Sequence, residues 1–224
     1  MQINVVNLNK IDYGAALEIQ LKLLEARQKG TVDDTLLMLE HPPTLTLGMR
    51  GRKSNILVPE AYLKESNIDI YDVNRGGDVT YHGDGQVVGY PIFDLTNYNR
   101  DIKKFIWNIE EVFIRLIDKE YNITAKREDM KYTGVWIGDN KITAIGMAVK
   151  HWVTMHGFAF NVNTNLEHFK LINPCGLTEK GVTSLQQLTG VRQDFAKLNQ
   201  MVIESFCEVF EVTSRTVDLK ELGI

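Results

Sequence analysis

The sequence predicts a single α/β domain in which helices pack against a β-sheet. Helical and β-type hydrophobic patterns alternate along all 224 residues, without a repeat, a low-complexity run or a linker. Hydrophobic residues make up 44% and charged residues 24%, as is typical of a globular protein. A chain of this length buries a substantial core without disulfides or structural metals. We therefore expect residues 1–224 to form one domain.

Local signals place the elements of the first half of the chain. Asp12 is a good N-cap for a helix from about Ala15 to Gln28, and Gly30 supplies its end. Pro42 and Pro43 separate two short runs of apolar or β-branched residues, which predict strands. The other elements expected here follow in chain order: strands at Thr35–Glu40 and Thr44–Leu47, a short helix near Pro59–Lys64, and strands at Ile68–Val73 and Gln86–Leu95.

The second half begins with a long amphipathic helix over Asp101–Tyr121. Its apolar residues recur on one broad face, which predicts packing against the core. After it come three β-rich segments with a turn at residues 138–140, a pattern typical of an antiparallel meander. Ser184 and Asp194 are suitable N-caps for a short helix and for a last helix that ends near Phe210. The three β-rich segments are Gly134–Ile137, Lys141–Val149 and Trp152–Val162.

Composition and missing motifs argue against several functional classes. A net charge of −4 does not favour nucleic-acid or membrane partners, and no apolar run is long enough to span a bilayer. The N-terminus resembles neither a signal nor a transit peptide. The chain lacks GxGxxG, GK[ST], GxSxG and HExxH, and His151 and His156 are a poor metal pair. With two cysteines and no CxxC, we expect a soluble protein of the reducing cytoplasm, without a metal or other cofactor.

The segment RGGDVTYHGDGQ, residues 75–86, has the composition of a binding loop. Its four glycines allow backbone N–H groups to approach a ligand closely. A hairpin turn alone does not require Arg, Tyr, His and Gln between the glycines. We therefore predict a binding site here.

Cys175 is the candidate nucleophile, since Pro174 and Gly176 place it in a loop rather than on an apolar face. The alternative is a small buried hydrophobic residue, the usual state of a free cysteine and the one we expect for Cys207. A thiol with a pKa of about 8.5 is only ~3% ionised at pH 7, so catalysis needs a nearby cation. The candidates for that cation are His82, His156, Lys141 and Lys150.

Four segments resemble the signatures of the lipoyl(octanoyl) transferases and occur in that family's order. They are RGGDVTYHGDGQVVGYPIFDL, KITAIG, HWVTMHGFAFNV and INPCGLTEKGVTSL. The resemblance implies an α/β fold shared with biotin-protein ligases and lipoate-protein ligases, with a mixed β-sheet and flanking helices. The catalytic-domain core would span about residues 31–212.

The resemblance also assigns site residues. Cys175 matches the family's acyl-thioester nucleophile, and Lys141 matches the lysine that activates it. Asp84 departs from the pattern, because the family usually has proline in HGPGQ. The positions that match the family's substrate-binding stretches are Arg75, Gly76, Gly77, Asp78, Val79, Thr80, Tyr81, His82, Ala144, Ile145, Gly146, Gly157, Phe158 and Ala159.

The reaction implied is the first step of endogenous protein lipoylation. An octanoyl group moves from octanoyl-acyl carrier protein to a lysine in lipoyl domains of 2-oxoacid dehydrogenase complexes or in glycine cleavage H protein. A thioester keeps the acyl group activated, so the transfer needs neither ATP nor a metal. The acceptor lysine must lose a proton, and either Lys141 or His82 could accept it.

Three alternatives remain open at this point. An ATP-dependent lipoate-protein ligase shares the fold, although Cys175 in PCG argues against it. An octanoyl amidotransferase would use a different acyl donor. A non-catalytic module would bind acylated proteins and use Cys175 for packing alone.

Overall fold

The computed structural model describes residues 1–129, 132–173 and 180–224. The α-helices among them are α1 (Tyr13–Gln28), α2 (Glu60–Glu65), α3 (Ile102–Tyr121), α4 (Leu185–Thr189) and α5 (Phe195–Phe210). The β-strands are β1 (Gln2–Lys10), β2 (Thr35–Glu40), β3 (Thr44–Leu47), β4 (Asp69–Asp72), β5 (Val79–His82), β6 (Gln86–Ile92), β7 (Lys126–Arg127), β8 (Gly134–Ile137), β9 (Asn140–Lys150), β10 (Val153–Asn161), β11 (Gly181–Val182) and β12 (Thr213–Thr216).

The described strands form two mixed sheets. In the larger sheet the order is β12-β1-β2-β6-β10-β9-β8-β7, and β11 pairs with β9 outside this path. Strands β12, β1 and β2 run parallel, whereas each neighbouring pair from β2 to β7 is antiparallel. The smaller sheet has the order β4-β3-β5. The predicted mixed sheet is therefore confirmed.

Helices cover both faces of the larger sheet. On β2, Leu36 and Met38 join the core formed with α3 and α5, whereas Leu37 and Leu39 join the core formed with α1. Because successive strand residues point to opposite faces, a strand covered on both sides is apolar throughout. This arrangement explains the uninterrupted apolar run of β2 and confirms the predicted flanking helices.

The predicted helix starts are confirmed by their capping bonds. The side chains of Asp12, Asp101, Ser184 and Asp194 each accept a hydrogen bond from a backbone N–H in the first turn of α1, α3, α4 and α5 respectively. Strands β8, β9 and β10 form the predicted antiparallel meander. Among the described residues, no helix has the length and apolar character needed to cross a membrane.

Strands β1, β7, β11 and β12 were not predicted, and two predicted segments differ from the structure. Strand β1 was missed because asparagine is uncommon in strands; here Asn4 is buried and bonded to Thr35 of β2 and to Arg215. The segment 75–86 is not loop throughout, since β5 pairs with β3 in the smaller sheet. Strand β6 ends before the predicted Leu95, because Asp94 caps a 3-10 turn.

Candidate active site

A cleft of about 720 Å³ is lined by residues from both sheets. Lys141 and every predicted substrate-binding residue except Tyr81 line this cleft. The Tyr81 side chain is buried elsewhere: its hydroxyl lies 2.7 Å from His168 Nδ1, and its ring packs against Phe169. The alternation of side chains along β5 thus separates Tyr81 from its neighbour His82, which does line the cleft.

The glycine-rich segment reaches the cleft by packing directly on β9. The Gly76 N–H donates a hydrogen bond to the Met147 carbonyl at 2.9 Å. A Cβ atom on Gly146 would lie only 2.8 Å from the Gly76 carbonyl oxygen. The small residue at position 146 therefore allows the glycine-rich segment to approach β9 closely.

Arg75 ties this segment to the smaller sheet. Its guanidinium donates hydrogen bonds to the Thr46 hydroxyl and carbonyl, to the Gly76 carbonyl and to the Asp78 carbonyl, at 2.8–3.1 Å. The side chain is buried, and this burial lowers the pKa of Arg75 from its usual value. Because its donors are used within the protein, Arg75 positions the segment around the cleft.

A chain of amide groups determines the tautomer of His82. The Asn161 Nδ2 atom donates to the Thr183 carbonyl at 3.0 Å, so the Asn161 oxygen is left to accept. Gln86 Nε2 donates to that oxygen at 3.0 Å and to the Tyr81 carbonyl at 3.1 Å. The Gln86 oxygen therefore accepts the remaining bond, from His82 Nδ1 at 2.9 Å. The proton of His82 is on Nδ1, and Nε2 carries the lone pair.

Three buried histidines near the cleft are neutral at physiological pH. Desolvation lowers the pKa of His41 and of His156 to about 4. Burial lowers the pKa of His82 well below its usual value, and the positive charge of Arg75 lowers it further. None of these imidazoles is therefore a cation that could stabilise a thiolate at neutral pH.

Three tyrosines that line the cleft were not predicted, namely Tyr13, Tyr90 and Tyr132. The Tyr90 hydroxyl bonds to His41 Nε2 at 2.8 Å. The Ile11 carbonyl can only accept, so His41 donates through Nδ1 at 2.8 Å and accepts from Tyr90. Burial raises the pKa of Tyr13 to about 12. The sequence contains no local signal for Tyr13, because its position depends on how α1 packs on the sheet.

Lys141 lies on β9 at the side of the cleft formed by β8 and β11. Its Nζ donates to the Thr133 carbonyl at 3.0 Å and lies 4.8 Å from the centre of the Trp136 ring. The Lys141 carbonyl accepts from the Thr183 N–H at 3.0 Å, next to the pairing of β11 with β9. Lys180 Nζ lies 4.5 Å from the same ring centre. Lys141 is thus a cleft cation held by backbone and aromatic contacts.

Cys175 lies outside the described residues. The described residues on either side of its segment, Asn173 and Lys180, both line the cleft. Of the other cations considered for the thiol, Lys150 is exposed at the end of β9 and does not line the cleft. Cys207 lies on α5, is partly buried and packs against the core, in agreement with the expected packing role.

Asp84 lies at an exposed turn between β5 and β6, away from the cleft lining. Its carboxylate forms an ion pair with Lys10 at 2.6 Å, and its side chain is 65% exposed. Within the part of the chain that the structure describes, no group of three His, Cys, Asp or Glu side chains is arranged to hold a metal ion.

Comparisons with known proteins agree with the fold. The family model described as "Lipoyl protein ligase A/B catalytic domain" matches residues 12–207. An octanoyltransferase of Desulforamulus reducens is 56% identical over 223 residues, which cover 100% of this chain and 97% of the relative.

Solved structures with low sequence identity share the fold. A bi-partite lipoate protein ligase studied with its E2 lipoyl domain from Thermoplasma acidophilum has a TM-score of 0.76 at 15% identity, covering 99% of this chain and 89% of that one. Biotin protein ligase from Aquifex aeolicus has a TM-score of 0.59 at 13% identity, covering 93% and 70%. The predicted likeness to both ligase classes is confirmed for the fold. With its cleft, its signature segments and its full-length likeness to a curated relative, the chain belongs to the octanoyltransferase family, whose catalytic domain is that of the lipoyl protein ligases A and B.

Proposed function

We propose that the protein transfers an octanoyl group from octanoyl-acyl carrier protein, through a thioester on Cys175, to a specific lysine of lipoyl domains. As a member of the octanoyltransferase family, the chain is an acyltransferase enzyme that acts in protein lipoylation. One observation carries the proposal for the site: Lys141 lines the same cleft as the family-matching stretches and as Asn173 and Lys180, which flank the segment of Cys175.

The first step is thioester exchange. The Cys175 thiolate attacks the carbonyl carbon of the donor thioester, the C–S bond of the donor breaks, and the donor leaves as a thiolate that takes a proton from Lys141. The Lys141 ammonium stabilises the Cys175 thiolate before attack, because an adjacent positive charge lowers the pKa of a thiol. This step conserves the energy of the thioester, so no nucleotide is consumed.

The second step needs a base, and the electrostatics favour Lys141 over His82. The acceptor amine attacks the Cys175 thioester, the amide forms, the C–S bond breaks, and the amine loses a proton. A proton on His82 is disfavoured by burial and by the positive charge of Arg75. Lys141, left neutral by protonating the departing donor, can accept the proton of the acceptor amine.

Apolar side chains around the cleft suit a saturated acyl chain. Ile145 and Phe158, from the predicted β-rich segments, line it together with Ile106 of α3. Each methylene removed from water contributes about 0.8 kcal/mol. An octanoyl chain would therefore gain several such increments without needing a polar partner.

We propose two kinds of protein partner and a cytoplasmic reaction. The donor is octanoyl-acyl carrier protein, and the acceptors are lipoyl domains of 2-oxoacid dehydrogenase complexes and glycine cleavage H protein. Support for the acceptor class comes from the fold neighbour that was studied with an E2 lipoyl domain. A catalytic thiol is maintained in the reducing cytoplasm.

The nucleophile is tested by two matched cysteine variants. Cys175→Ser should abolish transfer of octanoyl from acyl carrier protein to a lipoyl domain, because a hydroxyl is a far poorer nucleophile under the same conditions. Cys207→Ser should retain nearly full turnover, because that thiol packs against the core. Equal loss of turnover in the two variants, at equal folded fraction, would refute the role of Cys175. A rate that depends on ATP and free octanoate would instead indicate a ligase.

A further inference from the structure

The peptide group between Thr133 and Gly134 links Lys141 to a buried carboxylate. Its carbonyl oxygen accepts a hydrogen bond from Lys141 Nζ at 3.0 Å. Its N–H donates to Glu110 Oε1, also at 3.0 Å. In a trans peptide the C=O and N–H groups point in opposite directions. Glu110 and Lys141 are therefore bonded to opposite edges of one rigid, planar group.

Glu110 is an unusual residue for the inner part of a helix. It belongs to α3, is 6% exposed, and forms an ion pair with Arg127 Nε at 3.3 Å. Burial raises the pKa of Glu110, whereas the Gly134 N–H, Arg127 and Lys141 act to lower it. Burying a carboxylate is costly unless it is well paired. The burial of Glu110 is compensated by these partners, one of which is the peptide group that also bonds to Lys141.

The neighbouring carboxylate does not share this contact. Glu111 pairs with Arg127 and with Arg115, and Arg127 also lies 4.1 Å from the centre of the Trp107 ring. Only Glu110 of these two carboxylates bonds to the Thr133–Gly134 peptide. Both glutamates pair with Arg127, but only Glu110 contacts the peptide. A comparison of variants at the two positions therefore distinguishes the effect of the peptide contact from the effect of pairing with Arg127.

Gly134 makes the arrangement sterically possible. Its φ is +135°, and a Cβ atom there would lie 2.4 Å from the Thr143 carbonyl oxygen and 3.3 Å from Lys141 Cε. A larger residue would displace either the backbone of β9 or the Lys141 side chain. The glycine thus permits the peptide to face Glu110 on one edge and Lys141 on the other.

We propose that Glu110 is a positioning residue, which fixes and polarises the Thr133–Gly134 peptide and thereby orients the Lys141 ammonium for acyl transfer. A carboxylate that accepts from a peptide N–H increases the acceptor strength of the carbonyl on the same peptide. The carbonyl directs one of the three donors of Lys141 Nζ, and so fixes the direction of the other two. The catalytic consequence rests on the role of Lys141 in the proposed function, whereas the geometric claim does not.

The negative charge of Glu110 should also raise the pKa of Lys141. Among the described residues, the other charged groups here are Arg127 of β7, which pairs with Glu110, and Lys180. Lys180 contacts the same Trp136 ring as Lys141 and pairs with Glu128 at 3.2 Å. A negative charge stabilises an ammonium, so removal of the Glu110 charge should lower the pKa of Lys141. The step that requires neutral Lys141 should then reach its maximum rate at lower pH.

The test compares Glu110→Gln with the matched control Glu111→Gln. Glutamine keeps an acceptor oxygen for the Gly134 N–H but removes the charge. The Lys141 titration is followed by NMR of the ¹³C- and ¹⁵N-labelled side chain, and the pH profile of octanoyl transfer is measured on the same samples. For Glu110→Gln we expect both curves to move to lower pH by about one unit, whereas Glu111→Gln leaves both in place.

The outcomes separate this proposal from the proposed function. If the Lys141 titration is the same in wild type and Glu110→Gln, the coupling is refuted, whatever happens to activity. If the titration moves but the transfer profile does not, Glu110 positions Lys141 and the catalytic role of Lys141 is wrong. Should Glu110→Gln fail to fold, the wild type decides: the ¹³Cδ signal of Glu110 must show an inflection at the pH where Lys141 titrates, and its absence overturns the proposal.

Discussion

The state of each titratable side chain in the cleft determines which one can activate a thiol. His82 and His156 were candidates for the cation beside Cys175, but their lowered pKa values leave both neutral near pH 7. Lys150 does not line the cleft. Of the four candidates that the sequence offered, Lys141 alone combines a positive charge with a place on the cleft. The family resemblance and the electrostatics thus lead to the same residue.

The effect of Lys141 on the thiol can be measured directly. Lys141→Ala should raise the pKa of Cys175 and slow both its acylation and the later transfer to the acceptor lysine. Losing one unit of pKa depression corresponds to about 1.4 kcal/mol and cuts the thiolate population nearly tenfold at a pH below both pKa values. The measurement is the rate of iodoacetamide alkylation at Cys175 against pH, in a Cys207→Ser background. Superimposable curves for wild type and Lys141→Ala would show that Lys141 does not tune the nucleophile.

At the scale of single elements, the turn that joins β5 of the smaller sheet to β6 of the larger sheet lies between two residues of the cleft lining. His82 and Gln86 face the cleft from these two strands, whereas Asp84 between them is exposed and paired with Lys10. Asp84 therefore replaces the family's usual proline at a position where the side chain is exposed to solvent. The departure from HGPGQ changes the surface of the turn and leaves the cleft lining intact.

The corresponding prediction is that Asp84→Pro retains octanoyl transfer. The backbone of Asp84 does not adopt a positive φ, and an exposed ion pair contributes at most about 1 kcal/mol. Transfer rate and urea unfolding are the two measurements, with Lys10→Gln as the control that removes the same ion pair without changing the backbone. A folded Asp84→Pro protein without transfer activity would identify Asp84 as a functional residue.

The elements that depend on local chemistry were predicted, and those that depend on tertiary contacts were not. Helices α1, α3, α4 and α5 begin where an Asp or Ser side chain caps the first turn, a signal contained within a few residues. Strand β1 exists because β2 and β12 pair with it, although Asn4 disfavours a strand.

The same distinction applies to the candidate site. The glycine-rich stretch and Lys141 stood out from sequence motifs, and the structure brings them to one cleft. Tyr13 and Glu110 carried no such signal, since each lies on a helix whose docking decides what its side chain contacts. The role of Cys175 stays a prediction, because that residue lies outside the described part of the chain.

For the whole molecule, the buried histidines predict a loss of stability in mild acid. Their pKa is about 6.5 when unfolded and about 4 when folded for His41 and His156, and His82 is shifted in the same direction. At a pH between about 4 and 6.5, these histidines are protonated in the unfolded chain but not in the folded protein. The stabilisation is therefore complete above pH 6.5 and is lost as the pH falls towards 4, by up to about 1.4 kcal/mol per pH unit for each histidine. The raised pKa values of Asp34 and Glu40 have the opposite effect, because protonation of these carboxyl groups at lower pH favours the folded state.

The measurement is the free energy of unfolding in urea across this pH range. His156→Gln should reduce the slope of stability against pH by about one proton, whereas His151→Gln, at an exposed position, should leave it unchanged. A free energy of unfolding that stays constant across the same range in wild type would contradict neutral burial of the histidines.

The central claim is that the octanoyl group passes through a thioester on Cys175, and intact-protein mass spectrometry tests it most directly. Wild-type protein incubated with octanoyl-acyl carrier protein should gain the mass of one octanoyl group. Hydroxylamine, or a lipoyl domain, should remove it, and in the second case the domain should carry it as a hydroxylamine-resistant amide. Cys175→Ser should gain nothing, and Cys207→Ser should behave as wild type. Octanoylation of Cys175→Ser to the wild-type extent, or transfer to the lipoyl domain without any acylated enzyme, would contradict the account.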